Sequence, residues 1–250
     1  MEERVLVIFI MLIYKSRAPS KNKLKDCSRS KTRFESITHV LLSLLYFVTW
    51  QIMMSRSPEE ILFIQTGGTI DKDYPKTIGG YNFEIDEPAV KRITAKLKPS
   101  VGFKYKITSI CRKDSQEINQ GDRDAILKCI LEADQLKIIV THGTDTLIET
   151  ARFVQKSLRS DSKNVGKIVM FVGAFLPERF KDSDADMNIG SALGALDILH
   201  MKQGATNEVR RTDNTCVYIA LGGRVIPAAV AARDSNTGLF CRSDELAGGN

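Results

Sequence analysis

Beyond residue 59 the apolar residues fall into two alternating patterns. Short, mostly β-branched runs occupy Glu60–Gln65, Tyr105–Cys111, Lys137–Thr141, Ile168–Val172 and Cys216–Leu221, and each predicts a buried strand. Between them, Glu87–Leu97, Gln120–Ala133, Asp145–Ser157 and Asp186–Leu199 place apolar residues three and four apart, the spacing of a helix with one face against a core. Strand alternating with helix predicts an α/β fold: one doubly wound domain with a mostly parallel sheet and helices on both faces, flavodoxin-like or Rossmann-like. Asp86-Glu87-Pro88 and Asn119-Gln120-Gly121-Asp122 supply acidic or turn residues ahead of two of the helices, and Asp186 is expected to cap the one it opens. Gln203–Thr215 is polar and reads as an exposed loop.

The first 58 residues are of a different composition. Val5–Tyr14 is a run of ten apolar residues, Lys15–Arg33 is basic and rich in serine, and Ile37–Met54 is 18 residues without a formal charge. At about 1.5 Å per residue the last of these is just long enough to cross roughly 30 Å of hydrocarbon, and the first is too short. The alternatives for residues 1–58 are a membrane anchor through 37–54 and a non-native start, with Met53 or Met54 as the true beginning. On either reading the expected organisation is an extension over 1–58, an α/β domain over 59–240 and a tail over 241–250.

Charge sharpens this division. Residues 1–58 hold ten Lys or Arg against four Asp or Glu, and this excess of six equals the whole net charge of +6. The remaining 192 residues are therefore neutral. Nucleic-acid binding needs clustered, uncompensated basic residues on the folded body, so this class of partner is not expected. Five cysteines, Cys27, Cys111, Cys129, Cys216 and Cys241, are odd in number and contain no C-x-x-C pair. They suit neither a disulfide framework nor a zinc site, and they favour a reducing, cytoplasmic location, with membrane anchoring the alternative. Cys111 and Cys129 fall in core-like patterns and are expected to be inert small hydrophobes.

Chemistry concentrates where the strands end. The first strand runs into Thr66-Gly67-Gly68-Thr69, the second into Asp114-Ser115-Gln116-Glu117, the third into His142-Gly143-Thr144-Asp145-Thr146 and the fourth into Gly173-Ala174-Phe175-Leu176-Pro177. Small hydroxyls, bare glycine backbone and a carboxylate thus gather at the carboxyl edge of a parallel sheet, where open α/β folds bind ligands. No G-x-x-x-x-G-K-[ST] or G-x-G-x-x-G is present there, which disfavours a nucleotide site. His142 is expected to be a structural hydrogen-bonder. Lys181-Asp182-Ser183-Asp184-Ala185-Asp186 has alternating carboxylates but lacks the glycine and distal glutamate of a calcium loop.

This combination resembles the bacterial-type L-asparaginase family over roughly residues 59–240, because two independent active-site signatures occur in family order and at compatible spacing. The resemblance implies that Thr69 is the nucleophile, Tyr81 its activating partner on a mobile loop, and Thr144 the second catalytic threonine. It implies further that Asp145 holds the substrate's α-amino group, with Thr69, Ser115, Gln116 and Thr144 also contacting substrate. Tyr74 competes with Tyr81 for the tyrosine's place, and Tyr81 is preferred because Tyr81-Asn82-Phe83-Glu84-Ile85-Asp86 aligns better. The implied reaction hydrolyses the side-chain amide of L-asparagine, or of a related small amide, without metal or organic cofactor. The implied assembly is a homo-oligomer.

Two departures stand out. Long family members carry a lysine after the fifth strand; here Gly222–Asp234 contains none, and Arg233 falls nearest its place. Arginine keeps the charge but does not readily release and retake a proton. The resemblance also stops short of the second domain of long members, so the expectation is a short, single-domain form. A catalytically silent module that binds an amino acid is the alternative to a hydrolase.

Overall fold

The computed structural model describes residues 60–77, 79–80, 82–98, 102–159, 166–205 and 216–247. The two apolar stretches of the N-terminal extension and Tyr81 lie outside the described residues. Side-chain alternation along β1 (Glu60–Gly67) sets the layering. Leu62 and Ile64 face one core layer, whereas Ile61 and Phe63 face the other, and all four are buried. A strand buried on both faces must be covered by helices on both faces.

The neighbours of β1 are β4 (Lys104–Lys113) on one side and β5 (Lys137–Thr141) on the other, both parallel to it. Parallel pairing continues through β6 (Ile168–Val172) and β7 (Val217–Leu221). Numbering these five strands in chain order gives the order 2-1-3-4-5 across the sheet. That is the flavodoxin-like arrangement, and its topological switch point lies between the first and third strands, here β1 and β5.

Helices α1 (Ala89–Lys96) and α4 (Ala185–Ala205) cover one face through Val90, Ile93, Ile189 and Leu196. The other face is covered by α2 (Gln120–Glu132) and α3 (Leu147–Arg159) through Ile126, Ile130, Leu147 and Val154. Each such side chain contributes about 1.5–3 kcal/mol by leaving water. Asn119 and Asp122 form a reciprocal capping box at the start of α2. At its other end the buried Lys167 donates from Nζ to Ile130 O (2.7 Å), Leu131 O (3.3 Å) and Ala133 O. Helix α4 opens one residue before Asp186, and its first turn is set by Ser183 Oγ, which accepts from Ala185 N at 3.1 Å. Asp184 in turn accepts from Phe175 N and Leu176 N. The helix runs to Ala205, so the start of the expected loop at 203 is helical.

The stretch after Leu221 folds further than expected from its sequence. Gly222 and Gly223, at φ +61° and +73°, make a two-residue turn into β8 (Arg224–Pro227), which pairs antiparallel with β7 at the sheet edge. Next, β9 (Ala231–Arg233) pairs antiparallel with β10 (Phe240–Arg242), followed by α5 (Ser243–Ala247). Residues 241–247 thus belong to structured elements. A small antiparallel pair, β2 (Lys72–Asp73) and β3 (Glu84–Ile85), frames the loop after the first motif. Cys111, on the edge strand β4, and Cys129, on α2 beside the groove that it forms with β4, are half-buried. Burial pushes the Cys111 thiol up to about 11 and raises that of Cys129.

Candidate active site

Glycines determine how closely the strand ends approach. Gly68 sits at φ +81°, ψ −176°, a region open essentially to glycine alone, and donates to Lys113 O at 2.9 Å. A Cβ there would lie 2.3 Å from both Cα and N of Gly143. A Cβ on Gly143 would lie 2.7 Å from Cβ and Oγ of Ser115. The ends of β1, β5 and β4 therefore touch through backbone, at the switch point. Thr69 and Thr144 each follow directly on one of the two touching glycines. Thr69 opens a 3₁₀ turn over Thr69–Asp71 and is half-buried, as is Thr144, whose Cγ2 lies 3.1 Å from where a Cβ on Gly173 would be.

Hydroxyls tie these ends together. Thr66 Oγ1 donates to Thr141 O at 2.8 Å, and Thr146 Oγ1 donates to Ser115 O at 2.7 Å. Asp114 caps the turn Ser115–Glu117 and accepts from Lys72 Nζ at 2.9 Å, which holds β2 against the end of β4 and keeps the carboxyl below its usual range. Asp145 is linked on both oxygens: Gln116 Nε2 donates to Oδ2 at 2.8 Å, and Arg233 Nη1 to Oδ1 at 3.0 Å. These two contacts, the Gln116 bond first, hold its carboxyl below the usual range. Ser115, Gln116, Thr144, Asp145 and Arg233 thus come from three separate parts of the chain into one cluster.

Two buried titratable groups flank it. Asp71 is fully buried; its Oδ1 accepts from Ala89 N at 2.7 Å and its Oδ2 from Thr141 Oγ1 at 3.2 Å. Burial pushes this carboxyl up to about 6. The first amide of α1 is therefore capped by Asp71, eighteen residues earlier, and not by the acidic residues just before the helix. His142 is also fully buried; Nδ1 lies 2.8 Å from Gly143 O, its ring meets Phe171 edge-on, and burial lowers it to about 4. Its Nε2 has no partner among the described residues. His142 is thus a neutral core residue.

Tyr74 is exposed and packs with Phe83 and Phe180 at ring-centroid distances of 5.6 and 6.1 Å. Asp71, Phe175 and Phe240 belong to the region of the site, although sequence reasoning singled out none of them as a site residue. Asp71 carries the weak signal of a lone carboxylate two residues after the first motif. The two rings become relevant only because they flank Arg233. Among the described residues no group of three or more His, Cys, Asp or Glu is arranged to hold a metal ion. A groove of about 560 Å³ between β4 and α2, lined by Leu62, Lys106, Cys129 and Gln135 among others, includes none of the cluster.

The Asparaginase, N-terminal family model matches residues 60–234, which is 175 of the 250 residues. The chain belongs to the asparaginase family. An L-asparaginase of Thermococcus kodakarensis is 32% identical over 136 residues, covering 54% of this chain and 39% of that protein. L-asparaginase 2 of Bacillus subtilis is 24% identical over 240 residues, covering 86% of this chain and 58% of that protein. Among solved structures, the thermostable L-asparaginase from Thermococcus kodakarensis superposes with a TM-score of 0.55 at 24% identity, over 73% of this chain and 51% of that one. L-asparaginase I from Vibrio cholerae gives 0.52 at 20% identity, over 74% and 51%. These structures share the fold, and this asparaginase-family chain spans about half of each. Among its described residues no helix is long and apolar enough to cross a membrane.

Proposed function

We propose that this chain is an asparaginase-like amidohydrolase that hydrolyses the side-chain amide of L-asparagine, or of a related small amide, with Thr69 as nucleophile. The observation that carries this reading is the backbone contact of Gly68 with Gly143, which sets the first and third motifs side by side at the switch point. Thr69 Oγ adds to the amide carbon, its proton is relayed to the nitrogen, the C–N bond breaks and ammonia leaves. Water then adds to the resulting threonine ester, the C–O bond breaks, and the acid departs as the hydroxyl is restored. Tyr81 is the proposed relay, Thr144 the second hydroxyl, and Ser115, Gln116 and Asp145 the groups that hold the polar end of the substrate.

One observation favours a second reading, a binding module without turnover: Arg233, not a lysine, meets Asp145, and arginine stays protonated at neutral pH. Assembly into a homo-oligomer would shield the partly exposed Asp145 and Arg233 from water. A cytoplasmic setting is supported by Cys111, Cys129 and Cys241, which are free thiols. The test is ammonia release from L-asparagine and from related small amides by the purified chain beside Thr69→Ala and Thr144→Val. Release that disappears in both variants is expected. Undiminished release in Thr69→Ala would refute the nucleophile, and ligand-induced thermal stabilisation without release would favour the binding module.

A further inference from the structure

Arg233 is pinned from four sides. Its Nη1 donates to Asp145, its Nε donates to Gly238 O at 2.9 Å, and the guanidinium carbon stands 5.9 Å from the centre of the Phe175 ring and 5.8 Å from that of Phe240. Aromatic faces on a guanidinium, together with a carboxylate, favour one fixed placement over the many open to a free side chain. Asp145 is equally committed, with Gln116 on its second oxygen. The negative charge that an incoming ammonium would need is already neutralised from within the protein. The nearby Lys72–Asp114 pair is neutral as well.

An amino-acid ammonium placed against Asp145 would stand close to the guanidinium, and its attraction to the carboxylate would be offset by repulsion from the arginine. An anion meets the opposite situation. A guanidinium has five N–H donors in a planar fork suited to a carboxylate. Here Nε and Nη1 are engaged, whereas Nη2 has no acceptor among the described residues. The side chains of Arg233 and Asp145 are 36% and 42% exposed, so a ligand can reach both.

We infer that Arg233 determines specificity by taking the place of the ligand's ammonium on Asp145, so that the site selects a carboxylate-bearing amide without an α-amino group, a monoamide of a dicarboxylic acid such as succinamate. This rests on the amidohydrolase reading only for the chemical step. The choice of ligand is measurable separately, because succinate and L-aspartate, the two acid products, differ by the ammonium alone.

The test uses the full chain and its Arg233→Gln variant. Calorimetric titration with succinate and with L-aspartate is run beside ammonia release from succinamate and from L-asparagine. The wild type should bind succinate about tenfold or more tighter than L-aspartate, the weight of one screened charge contact. Arg233→Gln frees Asp145 and should shift that ratio by at least about tenfold towards L-aspartate. L-aspartate bound as tightly as succinate by the wild type, a ratio unchanged in the variant, or no binding of either acid at about 10 mM would each overturn the inference. Preferential succinate binding without ammonia from either amide would leave it standing and refute the hydrolase reading instead.

Discussion

Asp71→Asn should make the stability of this protein rise more steeply with pH than that of the wild type. An acid raised from about 3.8 to about 6 on folding leaves the native state holding a proton that the unfolded chain has lost, so stability falls as pH rises through that interval. The full effect is about 3 kcal/mol, of which about 2 kcal/mol falls between pH 4.5 and 7.5. His142 acts in the opposite sense. Lowered from 6.5 to about 4, it stays neutral in the native state while the unfolded chain protonates, so stability rises with pH by about 2.5 kcal/mol over the same range. These two contributions largely offset each other, and the other shifted groups are common to variant and wild type. Asparagine at 71 can still accept from Ala89 N through its oxygen and donate to Thr141 Oγ1 through its amide, at a pH-independent cost of about 1 kcal/mol. The gap between variant and wild type should therefore move by about 2 kcal/mol in the variant's favour from pH 4.5 to 7.5, which is about 4–8 °C in Tm for a body of this size. Thermal unfolding followed by circular dichroism at both pH values measures it. A gap constant within about 1 °C would refute the assignment of Asp71 as a buried, titrating carboxyl.

Gly68→Ala should cost about 2–6 kcal/mol, combining about 1–3 for a glycine-only backbone region with about 1–3 for driving a methyl group into Gly143. Gly223→Ala, at φ +73° but in open space, should cost only about 1–2 kcal/mol. Urea titrations of the two variants should separate them clearly, and equal midpoints would show that the Gly68–Gly143 contact is loose. Lys167→Met strips the donor from three carbonyls at the end of α2 and should cost about 2–4 kcal/mol, measured as a lowered urea midpoint; an unchanged midpoint would mean that water caps the helix equally well.

Legibility from the sequence followed the range of the forces involved. The five parallel strands and four long helices were readable because periodicity of two or 3.6 is local, and because a strand buried on both faces must be apolar throughout, as Ile138–Val140 and Ile168–Val172 are. The short strands β8, β9 and β10 were not readable, since each is held by its partner and not by a pattern of its own. Asn119 as a helix cap was legible for the same local reason, whereas the capping of α1 by Asp71 spans eighteen residues and appears only once the chain has turned.

The sequence by itself determined the order of the elements and the chemistry at their ends, with Thr69, Ser115, Gln116, Thr144 and Asp145 all just beyond a strand, because motif and periodicity are written in neighbouring residues. Only the tertiary structure decided that β1 lies between β4 and β5, that two glycines let their ends touch, and that Arg233 rests on Asp145 between Phe175 and Phe240. It also decided which carboxylate is neutralised by an arginine and which is buried away from water. Strand order, close approach and burial are properties of residues far apart in the chain, and no local pattern encodes the dielectric or the charge that a side chain will meet once they are brought together.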